Sequence, residues 1–239
     1  RVAETLTRAI ALALSEPMGP VHLDLPEDVA LAPTSEPVLA PAKRATIAPA
    51  PDAAVARAGE LIAAARRPVA VIGAAAMRVA DPALLQKTIE RHRLPFATTT
   101  MAKGLIDEDH PLALGCIERA CRQVQRRFLR SADLIVGLGY DTIEVEYEAW
   151  IGDLPLIQID IEPVDIAASV NLVHQAPGDL DAALDRLAAL PASANAWTTQ
   201  ALADHRKQFQ SALRPPSATA RSFTAHAAID AVRRALPRE

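Results

Sequence analysis

Apolar residues recur along the middle of the chain with two alternating periods. Stretches with an apolar side chain every three or four residues give way to short continuous apolar runs, a pattern that predicts helices covering buried strands. Val55, Ala58, Leu61, Ile62 and Ala65 mark one helix face, opened by Asp52 as a candidate cap, and the strand Val69–Ile72 follows Pro68. Asp81-Pro82 starts a second helix carrying Leu84, Leu85 and Ile89, which leads into a strand over 95–100. A third helix is predicted roughly over 116–130, ahead of a strand at 133–137. A fourth strand covers 156–161 and a last short one 172–175, before a helix at 179–190 with Leu180, Ala183, Leu184 and Leu187 inward. Short β-branched strands that alternate with helices predict an α/β domain, a Rossmann-like parallel sheet with helices on both faces.

The flanks follow a different pattern. Val2, Leu6, Ile10 and Leu14 predict a helix over 1–16 that begins without a capping residue, and Val21–Leu25 alternates as a strand stopped by Pro26. One helix and one strand cannot bury both their faces, so residues 1–29 are expected to end a domain whose earlier part is missing. Residues 30–51 hold Pro33, Pro37, Pro41, Pro49 and Pro51 without a helical period and are expected to be a semi-rigid linker. Residues 52–190 form the central domain. After them, 191–239 reads as a linker and the opening of a further domain, with helices at 197–213 and 223–236 separated by Pro215-Pro216.

Composition narrows the function classes. The chain has 239 residues, 50% of them hydrophobic and 3% aromatic, so its core must be built from Ala, Val, Leu and Ile. A net charge of -4 argues against nucleic acid as a partner. The longest apolar runs fall short of the roughly 20 residues a bilayer span needs. Cys116 and Cys121 are the only cysteines, too few for a disulfide framework and without zinc-ligand spacing, which fits a reducing, cytoplasmic setting.

Candidate chemistry lies in the loops after the strands, where open parallel sheets bind ligands. Gly73-Ala74-Ala75 follows the first strand and is small enough for close approach of a ligand to the backbone, or for tight strand-to-helix packing. Thr99, Thr100 and Met101 follow the second; the threonines suit a phosphate or ribose, and equally an ordinary strand end. Gly137-Leu138-Gly139 begins like a dinucleotide fingerprint but lacks its third glycine and ends a late strand, so an ordinary NAD site is not expected. The acidic run Asp141, Glu144, Glu146, Glu148 is expected to be a solvated face. Asp160 and Glu162 flank Ile161 after the fourth strand, placed either to take ribose hydroxyls or to cap the helix opened by Pro163. No Gly-x-Ser-x-Gly occurs, and the six dispersed histidines are expected to be surface or packing residues. These readings describe a nucleotide-sized crevice with no catalytic or metal-binding residues.

The segments "EPMGPVHLDLPEDVA", "RPVAVIGAAA", "LPFATTTMAKGLIDEDHPLALG", "SADLIVGLGYD", "PLIQIDIEP" and "GDLDAALDRL", in that order, resemble thiamine-diphosphate-dependent enzymes of the acetolactate synthase group. The resemblance implies the tail of a pyrimidine-binding domain, a whole central domain and the lead-in helix of a pyrophosphate-binding domain. It implies a parent enzyme that uses thiamine diphosphate and Mg²⁺ to decarboxylate or join 2-oxo acids, as a homodimer or homotetramer. The activating glutamate is then expected before Arg1, and the Gly-Asp-Gly…Asn motif that holds Mg²⁺ beyond Glu239, leaving this segment non-catalytic. In the FAD-containing members the central domain holds FAD through loops matching 73–75, 99–101, 114–117, 137–141 and 160–162, which adds Gly115 to the candidate residues. Two departures weigh against FAD: an arginine-rich segment of those relatives is replaced by Gly139-Tyr140-Asp141-Thr142-Ile143-Glu144, and their Met-His-Gly by Cys116-Ile117-Glu118. "GYDTIEVEYEAW" is closer to the catabolic, FAD-independent acetolactate synthases. A nucleotide-binding module for FAD, ADP or CoA, a structural or interaction domain, and another 2-oxo acid decarboxylase of the family are the alternatives.

Overall fold

The computed structural model describes residues 1–40, 45–117, 122–141, 144, 150–164, 166, 169–214 and 224–237. In chain order the elements are α1 (Val2–Ala13), α2 (Glu27–Leu31), α3 (Asp52–Ala64), β1 (Pro68–Ile72), α4 (Pro82–Arg91), β2 (Phe96–Thr98), β3 (Ala113–Cys116), α5 (Arg122–Leu129), β4 (Leu134–Leu138), β5 (Leu156–Asp160), β6 (Leu172–Pro177), α6 (Leu180–Ala189), α7 (Thr199–Leu213) and α8 (Ala225–Ala235). The strands pair in the order β3-β2-β1-β4-β5-β6, and every pairing is parallel. This is the α/β, Rossmann-like architecture expected from the alternating pattern.

Alternation along the buried strands sends neighbouring side chains to opposite layers. Ala70, Ile72, Val136, Leu138, Ile157 and Ile159 pack against Ala58 and Ile62 of α3, Leu85 and Ile89 of α4, and Leu180, Leu184 and Leu187 of α6. Val69, Val71 and Ile135 face the other way, into a layer with Leu129 of α5, Leu202 of α7, Trp150 and Trp197. The first layer is largely aliphatic and rich in alanine. The second gathers four of the six described aromatic residues: Trp197 stacks on Phe128 with centroids 4.8 Å apart, Phe128 meets His205 at 4.3 Å, and Tyr140 meets Trp150 at 6.2 Å. The Trp197 indole also donates to Pro68 O at 2.8 Å, which ties the start of α7 to the start of β1.

Several local expectations change. Val21–Leu25 forms no strand, and no described segment pairs with it. Residues 113–116 form β3 instead of loop and helix start; four residues are too few to show a period, and Gly115 bends the strand at φ 97°. Helix α5 therefore begins after Cys116. Asp52 does not cap α3, whose cap position is Pro51. Asp81 does cap α4, accepting from Ala83 N at 3.0 Å. The first residues of the proline-rich stretch, Ala30 and Leu31, complete α2. Helices α1, α2 and α8 bury no residue at all, and Leu12, Leu31, Ile229 and Val232 are exposed.

Candidate functional site

After β1 the chain crosses to β2 on one side, and after β4 to β5 on the other, so the carboxyl ends of β1 and β4 flank the point where the winding direction reverses. Such a switch point is where open α/β sheets take ligands. Gly73, Ala74 and Ala75 lie on one side of it, Gly137 and Gly139 on the other.

The two loops are joined to each other. Gly73 N donates to Leu138 O at 3.1 Å and Ala75 N to Gly139 O at 3.0 Å. Gly73 has φ -114° and ψ -174°, open to any residue, yet a Cβ there would lie 2.5 Å from Gly139 O and from Tyr140 Cα. Gly139 sits at φ 57°, and a Cβ on it would strike Ala76 N. Glycine at both positions lets backbone meet backbone. Gly137 leaves room for the Gln158 side chain, which donates to Tyr140 O and, at 3.2 Å, to Asp160 Oδ2.

One donor set remains at the mouth of this junction, and Glu144 fills it. Its carboxylate accepts from Ala74 N at 2.9 and 3.1 Å, from Asp141 N at 3.1 Å, and from the Thr99 hydroxyl at 2.7 Å. Thr99 is held in place by its own N–H, which donates to Ile72 O at 2.9 Å, and is 1% exposed. Two backbone N–H groups and a buried hydroxyl converging on one carboxylate form an anion cradle. The expected solvated acidic face is thus corrected at Glu144, which is partly buried and bound; Glu146 and Glu148 lie outside the described residues. Glu144 is the site residue that the sequence reading missed. Its signal was a carboxylate five positions after Gly139, in the loop after β4.

Around the cradle, Asp160 accepts from Ile161 N at 2.6 Å, and burial holds its carboxyl above the usual range despite that bond and the nearby Arg78 guanidinium. Arg78 pairs with Glu16 at 2.8 Å, joining the segment after α1 to the β1 loop. Tyr140 is fully buried, its hydroxyl accepts from Trp150 Nε1 at 3.0 Å, and burial pushes the phenol pKa up. Glu162 is exposed.

The remaining candidates lie elsewhere. Thr100 and Gly115 line an open cavity of about 1110 Å³ between the ends of β2 and β3 and helix α7, beside Lys103, Arg206 and Arg214. Three of its cations are engaged within the chain: Lys103 pairs with Glu108, Arg214 with Asp230 at 2.8 Å, and Arg206 donates to Asp109 O at 3.3 Å. Met101 is exposed next to it. The eleven candidate positions therefore divide between a closed junction, a strand end and an outer cavity.

His92 and His205 are buried in packing roles: His92 bonds Ser193 Oγ at 2.8 Å and Leu187 O at 2.9 Å, and His205 bonds Gln125 Oε1 at 3.0 Å. Among the described residues, no three His, Cys, Asp or Glu side chains converge to hold a metal. The donors that a flavin or ADP diphosphate would need at the switch point already hold the Glu144 carboxylate, and the β1 and β4 loops are joined there by backbone bonds.

Comparison with known proteins gives a consistent picture. Residues 55–187, more than half of the chain, match the family described as thiamine pyrophosphate enzyme, central domain. A Methanococcus aeolicus protein named as a probable acetolactate synthase large subunit is 30% identical over 188 residues, 75% of this chain and 31% of that protein. The oxalyl-CoA decarboxylase of Escherichia coli is 28% identical over 193 residues, 77% of this chain and 33% of that enzyme. An X-ray structure from Mycobacterium smegmatis, described as a thiamin diphosphate-dependent enzyme, superposes with a TM-score of 0.61 at 26% identity, covering 80% of this chain and 37% of that one. The chain spans about a third of the length of the curated relatives it matches.

Proposed function

Since the chain belongs to the thiamine pyrophosphate enzyme family through its central domain, we propose that it serves a thiamine-diphosphate- and Mg²⁺-dependent enzyme that converts pyruvate to 2-acetolactate. The observation that carries this reading is the 30% identity to an acetolactate synthase large subunit across three quarters of the chain. When bound, thiamine diphosphate supplies the carbanion chemistry, and the protein's part is to position it. In this reading residues 52–190 are the spacer domain, 1–29 end a pyrimidine-binding domain, 30–51 link the two, and 191–239 lead into a pyrophosphate-binding domain. The groups that hold the cofactor and Mg²⁺ lie on those neighbouring domains.

The physical support is in the surfaces. Helices α1 and α8 expose Leu6, Leu12, Ile229, Val232 and Leu236, apolar faces suited to packing against further domains. The Arg78–Glu16 pair and the Trp197 indole bond fix how both flanks leave the sheet. The parent enzyme is expected to be a cytoplasmic homodimer or homotetramer.

A second reading rests on the nearly equal identity to oxalyl-CoA decarboxylase: a decarboxylase of the same family that does not join its product to a second acid. Both are tested by assaying the full-length protein with thiamine diphosphate and Mg²⁺. Acetolactate formed from pyruvate supports the first; carbon dioxide release without carboligation supports the second; no turnover of any 2-oxo acid or acyl-CoA acid refutes both. The 239-residue chain alone is expected to be inactive in the same assay.

A further inference from the structure

We infer that Glu144 is a resident anion: it occupies the donor set at the switch point and closes the central crevice of this chain to nucleotide diphosphates. Three observations meet here. The donors are the kind that bind a phosphate group, two backbone N–H groups and a hydroxyl, all within 3.1 Å of the carboxylate. Both carboxylate oxygens are used, so the group satisfies the cradle as a phosphate would. The loops behind it are joined by the Gly73–Leu138 and Ala75–Gly139 backbone bonds, which leave an entering diphosphate no second face to occupy.

The competition is intramolecular. Glu144 lies three residues beyond Asp141, whose own N–H it accepts, so its effective concentration at the cradle is far above that of any free nucleotide. A dissolved diphosphate would also meet the carboxylate as a like charge. The specificity of the crevice is thus set by one side chain that rejects anions by supplying its own. This inference does not depend on which acid the parent enzyme processes.

The test is equilibrium binding of ADP and of inorganic pyrophosphate to the 239-residue chain, as wild type, E144A and E144Q, each first checked for a cooperative melt. Wild type is expected to show no saturable binding up to about 1 mM. E144A is expected to bind pyrophosphate at least about tenfold more tightly than wild type, because the donors are released and the like charge is gone. Should E144A fail to fold, E144Q carries the test through amide exchange. Loss of the charge is expected to speed exchange at Ala74 and Asp141 by about tenfold while leaving Ile72 and Val136 unchanged. Wild type binding ADP as tightly as E144A overturns the inference. So does a folded E144A that binds neither anion, or an E144Q whose two amides exchange at the wild-type rate.

Discussion

Gly73→Ala isolates the contact between the β1 and β4 loops. Since Gly73 has φ -114° and ψ -174°, alanine incurs no backbone strain, and by restricting the unfolded chain it should stabilise the protein by about 0.4–1 kcal/mol. Against this, the new methyl would lie 2.5 Å from Gly139 O, 2.5 Å from Tyr140 Cα and 2.6 Å from Glu144 Oε1. Two of these three atoms are backbone held in the sheet junction and cannot rotate away. Overpacking of this kind costs typically about 1–3 kcal/mol, and the two fixed backbone atoms place it near the top of that range. The net expectation is destabilisation by about 2 kcal/mol, or a melting temperature lower by roughly 4–8 °C for a chain of this size. Tryptophan fluorescence in urea reads it cleanly, because Trp150 and Trp197 are both buried in the sheet domain, at 1% and 8% exposure. Gly19→Ala is the control: its Cβ would meet nothing within 4 Å, so its midpoint should lie at or above wild type, by up to about 1 kcal/mol. A Gly73→Ala midpoint within about 0.5 kcal/mol of wild type would refute the claim that glycine is there for backbone contact.

Two further outcomes are expected. Burial lowers the pKa values of both His205 and His92, so each folded-state value lies below the unfolded 6.5, and their contribution to stability is complete above about pH 6.5 and lost as the pH falls from there towards the folded values. Urea midpoints should therefore drop between pH 7.5 and 5.5, and His205→Gln should shrink that drop without abolishing it, because His92 still titrates; an unchanged drop would contradict the assignment. Trp197→Ala removes the stack on Phe128 and the bond to Pro68 O, and should cost about 3–5 kcal/mol in equilibrium denaturation; a loss below about 1 kcal/mol would show that the ring does not anchor α7 to the sheet.

The central architecture was legible because its strands are buried on both faces. Burial makes each strand a continuous β-branched or apolar run, and covering helices must repeat every three to four residues, so Val69–Ile72, Leu134–Leu138 and Leu156–Asp160 stand out from their surroundings. Caps were legible only where the side chain reaches its own helix. Asp81 does, at 3.0 Å, whereas Asp52 begins one residue too late; the Asp179 cap, at 2.9 Å from Ala182 N, was not read from the sequence. The strand β3 was not legible, since Ala113–Cys116 is four residues long and interrupted by a glycine.

Periodicity and apolar content, which local sterics and water impose on any chain, determined by themselves that these residues build a parallel α/β domain. They also showed that the loop after Gly139 departs from a dinucleotide fingerprint. Only the tertiary structure decided what that departure does. The strand order brings the β1 and β4 loops together from positions more than sixty residues apart, and it is this pairing that turns Glu144 from one acid in an alternating run into the occupant of a cradle built by Ala74 and Thr99. In the same way, four of the six described aromatic residues gather on one face of the sheet. Contacts between distant segments are set by topology and packing, neither of which has a local period to read.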